Sequence, residues 1–482
     1  MKRVYTDSYA SKKSRRRHAA AVRRRPERVE ERRPVERSRP RPQREVAEPV
    51  EAAAQRPPRR TERKQTRRLR KPRVVALGLV LLLIFVFFVS CMLALADANT
   101  GPTIAETVKE IKAPAGVKAA APGTWANAAV LTDEESGRVL YEKNPHEKLP
   151  IASTTKMMTA LVVRDQCKLQ DKVKVTPEAA SVGEEAINLV PGETRTVEQL
   201  LNVMLIQSAN DAAFALAQQA GKGSVPAFAE LMNKKAAALG ANDSHFTNPH
   251  GLDQAGHYSS AYDLAVIGRA LMHDPVLAKI VSTPKYSIPT PGQTWSRVAV
   301  GHNEILTQYA GADGIKTGYT AKAGFCLAAS AKKEGKALIA VVLNSSHRAD
   351  DVSALFNYGF NNTTRVVFAQ SGQYLGKSKV SNFPRRYVNI VAQSDMGALT
   401  FKGSNDMFKV MTSLQQTSRS PVKAGQELGK INVVLNNTPL ESGQAVSTQS
   451  KSGSNFLGGI AAFFWYSLCW SGKIFAAPFR IF

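Results

Sequence analysis

Residues 150–160 read PIASTTKMMTA. The proline marks a loop, and Met157, Met158, Leu161 and Val162 recur at spacings of three and four, the period of a helix. The segment predicts a loop that meets an apolar helix at Ser153, with Lys156 one turn further on. On a helix that spacing puts hydroxyl and amine on one face, within hydrogen-bond reach of each other. The free N–H groups and dipole at the helix start favour a negative charge developing beside the serine.

Ser-x-x-Lys alone is a weak signal, and two later motifs give it weight. Ser208-Ala209-Asn210 directly follows a second helical pattern, Val197, Leu200, Leu201, Met204 and Leu205. By itself it reads better as polar residues ending a helix. Lys316-Thr317-Gly318 precedes a strand pattern; Lys and Thr offer a cation and a hydroxyl for a carboxylate, and the glycine allows close approach to the backbone. The three stand in this order, 55 and 108 residues apart, and the ordered set is far more specific than any member.

The surrounding chain predicts a fold for them. Ala128–Leu131 and Val139–Tyr141 form one hairpin signal, and Phe325–Ala331 with Lys336–Leu343 form another. Strands, a helical middle and strands again predict an α/β (α+β) domain over 125–365, an antiparallel sheet flanked by helices with a helical subdomain beside it. Short alternating strands over 366–440, such as Tyr387–Ala392 and Lys430–Leu435, predict a small all-β domain. The Ala/Pro/Gly-rich stretch 97–124 and the Ser/Gly/Gln-rich stretch 441–455 read as linkers.

The charge is unevenly placed. The chain has 482 residues and a net charge of +26, of which +18 falls on residues 1–73, with 27 basic and 9 acidic residues. That arm is Pro-rich and nearly free of large apolar residues, so it is expected to be disordered. It is followed by an uncharged apolar run, 74–96, long enough to cross a bilayer with its basic side in the cytoplasm. Two readings of the run stay open: a retained transmembrane helix, or a signal segment cut after Ala94-Leu95-Ala96. In either case the later domains face outward. The apolar, aromatic tail 456–482 is expected to lie on a membrane. The arm lacks stacking aromatics, so lipid contact or a topology signal is expected and nucleic acid is not. The four cysteines, at 91, 167, 326 and 469, have no metal-ligand spacing, and whether Cys167 meets Cys326 stays open.

Beyond the motifs, PIASTTKMMTA (150–160), IQSANDA (206–212), TNPHGLD (247–253), HYSSAYDLAVIGRAL (257–271) and DGIKTGYTAKAGFCLAASA (313–331) closely resemble the D-alanyl-D-alanine carboxypeptidase family of low-molecular-mass penicillin-binding proteins. The resemblance is strong over 125–365 and weaker over 421–440 (PVKAGQELGKINVVLNNTPL). It implies a penicilloyl-serine transferase-like fold and an enzyme of cell-wall biogenesis, on the outer face of a bacterial cytoplasmic membrane, with no cofactor and no metal. The implied substrates are peptidoglycan stem peptides, with β-lactams as covalent inhibitors and membrane lipids as a further partner. Ser153 would be the acylated nucleophile, Lys156 its base and Ser208 a proton relay. Asn210, Lys316, Thr317 and Gly318 would bind substrate, and the backbone N–H of Tyr319 would join that of Ser153 as oxyanion donor.

Three alternatives remain at this point: a DD-endopeptidase, a β-lactamase, and a non-catalytic cell-wall scaffold. Glu198 mimics a deacylating glutamate but precedes Ser208, so a solvated helix position is expected for it. His250 is expected to hold a turn.

Overall fold

The structure, a computed structural model, describes residues 71–98, 103–117, 119–382, 385–418 and 421–451. Most of the basic arm (1–73) and the apolar tail (456–482) lie outside the described residues. The first helix, α1 (Lys71–Ala98), contains the uncharged run, and its described side chains, from Ala76 to Val89, are exposed. Among the described residues no helix is long and apolar enough to cross a membrane. At 1.5 Å per residue, the stretch of α1 whose side chains are described spans only about 21 Å.

Strand β1 (Ile104–Lys112) precedes a hairpin of β2 (Ala128–Asp133) and β3 (Val139–Lys143). A 3-10 turn, Ala152–Thr155, runs into α2 (Lys156–Gln166). Short strands β4 (Lys172–Lys174) and β5 (Thr194–Thr196) pair on either side of the single turn α3 (Pro177–Ala180). Then come α4 (Val197–Ile206), α5 (Asn210–Ala220), α6 (Val225–Leu239), α7 (Ala261–Met272) and α8 (Pro275–Val281). Hairpin β6 (Lys285–Pro289) and β7 (Ser296–Val300) and the turn α9 (Ile305–Gln308) lead to β8 (Ala312–Thr320), β9 (Gly324–Lys333), β10 (Lys336–Leu343) and α10 (Arg348–Asn362). The remainder is β11 (Thr363–Ala369), β12 (Tyr374–Asn382), β13 (Arg385–Ala392), β14 (Met396–Phe401), β15 (Met407–Gln415), β16 (Glu427–Leu435) and β17 (Thr438–Ser447).

The catalytic-region sheet has the order β3-β2-β10-β9-β8, antiparallel throughout. Both ends of the segment build it, as the two hairpin signals predict. Buried side chains of α2, α4, α5 and α7 form a core on one face, and α10 covers the other with Leu355 and Phe356. The helices start where the sequence offers caps: Thr196 and Gln199 form a capping box for α4, and Ser260 accepts from Asp263 N at α7. Helix α2 departs from the one-sided pattern, since every residue from Lys156 to Val163 is buried. It packs against α4, α5, α6 and α7, so its apolar stripe marks only part of what it buries. Burying this helix carries Lys156 into the interior.

The C-terminal sheet corrects both linker expectations. Its order is β1-β15-β16-β17-β13-β12, with β11 and β14 as a separate pair. Ile104–Lys112, inside the stretch read as a linker, pairs in register along the whole of β15. The Ser/Gly/Gln-rich residues after 440 continue β17, with Ala445 and Val446 buried, and Lys451 still pairs with Val422. Composition misleads in both places because an edge or half-exposed strand needs only a few apolar contacts once its ladder partner exists. The β2–β3 turn joins the two domains: Arg138 donates to Leu399 O at 2.6 Å and pairs with Asp406 at 2.6 Å, and Asp133 accepts from Leu399 N at 3.1 Å.

Ile111 packs on the core that contains Phe408, Val410 and Ile431. Ile111→Asp is expected to cost about 2 kcal/mol. Calorimetry should then show a midpoint lowered by about 4–8 °C, an effect a flexible linker would not produce.

Candidate active site

The 3-10 turn that carries Ser153 is strained and braced. Ala152 has φ +47, a left-handed conformation unusual for a residue with a side chain. Thr154 Oγ1 donates to Ile151 O at 2.6 Å, and Thr155 Oγ1 donates to Ala152 O at 2.8 Å. His257 supports Thr155 from behind. Its Nδ1 accepts from Thr247 N at 3.1 Å, so Nε2 carries the proton and donates to Thr155 Oγ1 at 2.8 Å. Gly251, at φ +93, lies against the Ala152 carbonyl so closely that any Cβ would collide with it.

Lys156 is fully buried, and its Nζ makes three hydrogen bonds: to Ser153 Oγ at 2.8 Å, Asn210 Oδ1 at 2.7 Å and His250 O at 2.7 Å. Two of these partners are carbonyl oxygens, which can only accept. They fix two N–H bonds, so the remaining tetrahedral position faces Ser153 Oγ. In the neutral amine that position holds the lone pair, aimed at the hydroxyl whose proton it would take. Burial, reinforced by the charge of Lys316, holds the amine well below the usual lysine range.

Asn210 begins α5. Besides accepting from Lys156 it donates through Nδ2 to Gly183 O at 2.9 Å, and its backbone N donates to Glu185 O at 2.7 Å. The next residue, buried Asp211, accepts from Ile187 N and Leu189 N and pins the same loop. The amide expected to meet substrate is therefore also the part that orients Lys156. Ser208 lies between α4 and α5 at φ +71, with its hydroxyl buried and unpaired among the described residues. An unmet buried hydroxyl costs about 1–3 kcal/mol, a pattern found where strain is kept for a transient partner.

Lys316, Thr317, Gly318 and Tyr319 lie on β8, the edge strand of the sheet, a position at which an extended peptide can add. A Cβ on Gly318 would come within 2.9 Å of Ile151 O and 3.1 Å of Ser153 N. The glycine thus admits the nucleophile's own turn against the strand. Lys316 is buried, donates to Thr317 O at 3.1 Å, and is pushed down to about 8 chiefly by burial.

The motifs named the converging residues but not their supports. His257, Asp211 and the carbonyl of His250 carry no local signal. Arg348 reaches Gly318 O at 3.4 Å while held by Glu304 at 2.6 and 3.1 Å, and only the fold brings it there. The decoys resolve. Glu198 is in the first turn of α4, bonded to Gln170, eight residues and about 12 Å along the helix from the end that faces Ser208. The His250 ring accepts from Leu252 N within its turn. Cys167 and Cys326 are both free thiols.

Gly318→Ala is expected to lower the acylation rate of Ser153 by about 100-fold, as a misplacement of about 1 Å does, with little change in far-ultraviolet circular dichroism. A second expectation concerns acid stability. Burial lowers His250 from 6.5 to about 3 and His257 from 6.5 to about 4. Below about 6.5 the unfolded chain takes up protons the native state refuses, so stability is full above that pH and is lost as pH falls toward 4 and then 3. Midpoints measured from pH 8 to 4 should decline, and His257→Gln should flatten the decline.

Comparisons with known proteins give the family. Residues 115–347 match the family model described as D-alanyl-D-alanine carboxypeptidase, and residues 364–451 match penicillin-binding protein 5, C-terminal domain. D-alanyl-D-alanine carboxypeptidase DacF of Bacillus subtilis is 36% identical over 318 residues, covering 64% of this chain and 80% of that protein. DacC of Escherichia coli is 33% identical over 357 residues, 70% of this chain and 87% of its own. The crystal structure of penicillin binding protein 5 from Haemophilus influenzae superposes with a TM-score of 0.55 at 28% identity, over 69% of this chain and 99% of that one. With a serine, a buried lysine and an edge-strand Lys-Thr-Gly converging on one cleft, and relatives matched over most of their length, the chain belongs to the D-alanyl-D-alanine carboxypeptidase family.

Proposed function

We propose a division of labour for the serine D-Ala-D-Ala carboxypeptidase reaction this chain performs in cell-wall metabolism. The observation that carries it is the buried, three-way-held amine of Lys156 facing Ser153 Oγ, its proton affinity lowered by burial and by Lys316. Lys156 takes the hydroxyl proton as Ser153 Oγ adds to the carbonyl of the penultimate D-Ala. The oxyanion is met by the backbone N–H groups of Ser153 and Tyr319, at the helix start. Collapse breaks the C–N bond, and the proton passes from Lys156 through Ser208 to the departing amine of the terminal D-Ala. Water then adds to the acyl ester as Lys156 takes its proton, and collapse breaks the bond from carbonyl carbon to Ser153 Oγ, the proton passing from Lys156 to Oγ. Lys316 and Thr317 hold the free carboxylate, which selects a chain terminus.

We infer further that the apolar run 74–96 anchors the chain in a bacterial cytoplasmic membrane with the catalytic domain outside. An apolar helix with exposed side chains all round it needs lipid or protein to cover it. The +18 arm on residues 1–73 would stay on the cytoplasmic side, against anionic lipid. β-lactams would acylate Ser153. The place of Glu198 in the first turn of α4, bonded to Gln170 and at the far end of the helix from Ser208, supports slow release of the acyl group over β-lactamase turnover.

Purified full-length protein should release D-Ala from a stem pentapeptide. Rapid penicillin turnover without D-Ala release would overturn the reading, and cleavage of a cross-linked dimer in preference to the pentapeptide would favour an endopeptidase. Ser153→Ala should abolish labelling by a fluorescent penicillin, and Lys156→Ala should slow acylation by about 10²–10⁴-fold. The pH profile of kcat/KM should rise as Lys156 loses its proton and fall above about 8 as Lys316 loses its own. Lys316→Arg, whose guanidinium stays charged, should move the alkaline limb upward if the variant binds substrate.

A further inference from the structure

Beside the cleft lies an exposed aromatic ribbon that the reaction does not use. Tyr319, next after the Lys-Thr-Gly, is 57% exposed, and its ring packs at a tilt against Phe325, 45% exposed, with centroids 4.6 Å apart. The Arg348 guanidinium lies over the Phe325 ring at 5.4 Å. Its neighbour His347 packs on Trp125, 69% exposed, at 5.1 Å. The ribbon thus runs Tyr319, Phe325, Arg348, His347, Trp125, outward from the oxyanion end of β8.

Its far end is fixed from below. Buried Asp351 accepts from Trp125 N at 2.9 Å and Ala126 N at 3.0 Å, and from Ser345 Oγ at 2.6 Å. Ser345 Oγ in turn accepts from His347 N at 3.1 Å. One buried carboxylate therefore positions both Trp125 and His347, and the large apolar surface of Trp125 is left in water. A contiguous exposed aromatic surface of this kind marks a binding surface.

The direction of the substrate selects the occupant. The terminal carboxylate sits at Lys316 and Thr317, and the scissile carbonyl sits between the N–H groups of Ser153 and Tyr319. The stem peptide therefore runs along β8 toward higher residue numbers, and its upstream end leaves the cleft past Tyr319. The ribbon begins there. It holds no Leu, Ile or Val, and the charge of Arg348 is neutralised by Glu304. Flat rings with polar edges and little net charge fit the pyranose faces of a neutral sugar better than acyl chains or anionic headgroups. Resting on the carboxypeptidase reading of the cleft, we propose that this ribbon is a subsite for the glycan strand that bears the stem peptide, with N-acetylated sugars of the strand stacking on Phe325 and, further out, on Trp125.

The test compares one peptide in two forms, a free pentapeptide and the same pentapeptide on its disaccharide, using full-length protein and its Trp125→Ala, Phe325→Ala and Trp125→Phe variants. Each alanine variant should lower kcat/KM about five- to tenfold on the disaccharide form, mainly through KM, as expected for loss of one aromatic contact. Turnover of the free pentapeptide and labelling of Ser153 by a fluorescent penicillin should stay at wild-type levels, and Trp125→Phe should restore most of the loss. Equal effects on both substrates, or none on either, would overturn the subsite. Should Phe325→Ala disturb labelling through Arg348, Trp125→Ala still decides the matter, since its side chain lies far along the ribbon. Failure of the wild type to release D-Ala from the free pentapeptide would instead refute the reading of the cleft itself.

Discussion

A lysine amine buried without a carboxylate partner in direct contact is the constraint on which this site depends. Lys156 Nζ is held by two carbonyl oxygens and one hydroxyl, none of which can neutralise its charge. The cheaper state for such a group is to be uncharged, because desolvation penalises the ammonium and Lys316 adds a second cation nearby. The rest of the helical part serves that arrangement. Helix α2 must be buried on all sides to bring the amine inside, α5 must begin at Asn210 to present Oδ1, and the Asn248–Gly251 turn must place the His250 carbonyl.

The second dependency is close backbone packing. The nucleophile's turn is pressed between β8 and the 248–251 turn, and at both contacts only a hydrogen fits: Gly318 on one side and Gly251 on the other. This ties the Lys-Thr-Gly strand to the turn that carries Ser153, since Gly318 on β8 lies directly against that turn. Positional control of this kind contributes to catalysis as fully as the acid–base groups do. It also accompanies the positive φ of Ala152, strain that the surrounding packing offsets.

Much of this was legible in the sequence for local reasons. Ser153 and Lys156 meet because a helix brings positions three apart to one face. The two hairpins show through the apolar runs Ala128–Leu131 and Lys336–Leu343, and β10 follows the second run residue for residue. Where partnership decided, the sequence was silent. Ile104–Lys112 has the composition of a linker and becomes a strand because β15 offers it a complete ladder. His257 is an ordinary histidine until Thr247 and Thr155 fix its tautomer, and Asn210 reads as a substrate ligand until Lys156 is found on its other side.

What the sequence alone determined is the set of groups available for the chemistry: a serine, a lysine one turn away, a second serine, and a lysine on a strand, in a chain whose charge is concentrated before an apolar run. Those features depend on residue type and short spacing, which local geometry translates directly. What only the tertiary structure decided is the electrostatic state and precision of that set. A lysine's proton affinity depends on how much water surrounds it and on which charges stand beside it. Here those neighbours come from α5, β8 and the 248–251 turn, segments that lie up to 160 residues from Lys156 along the chain and meet only when the helical core and the sheet close around it.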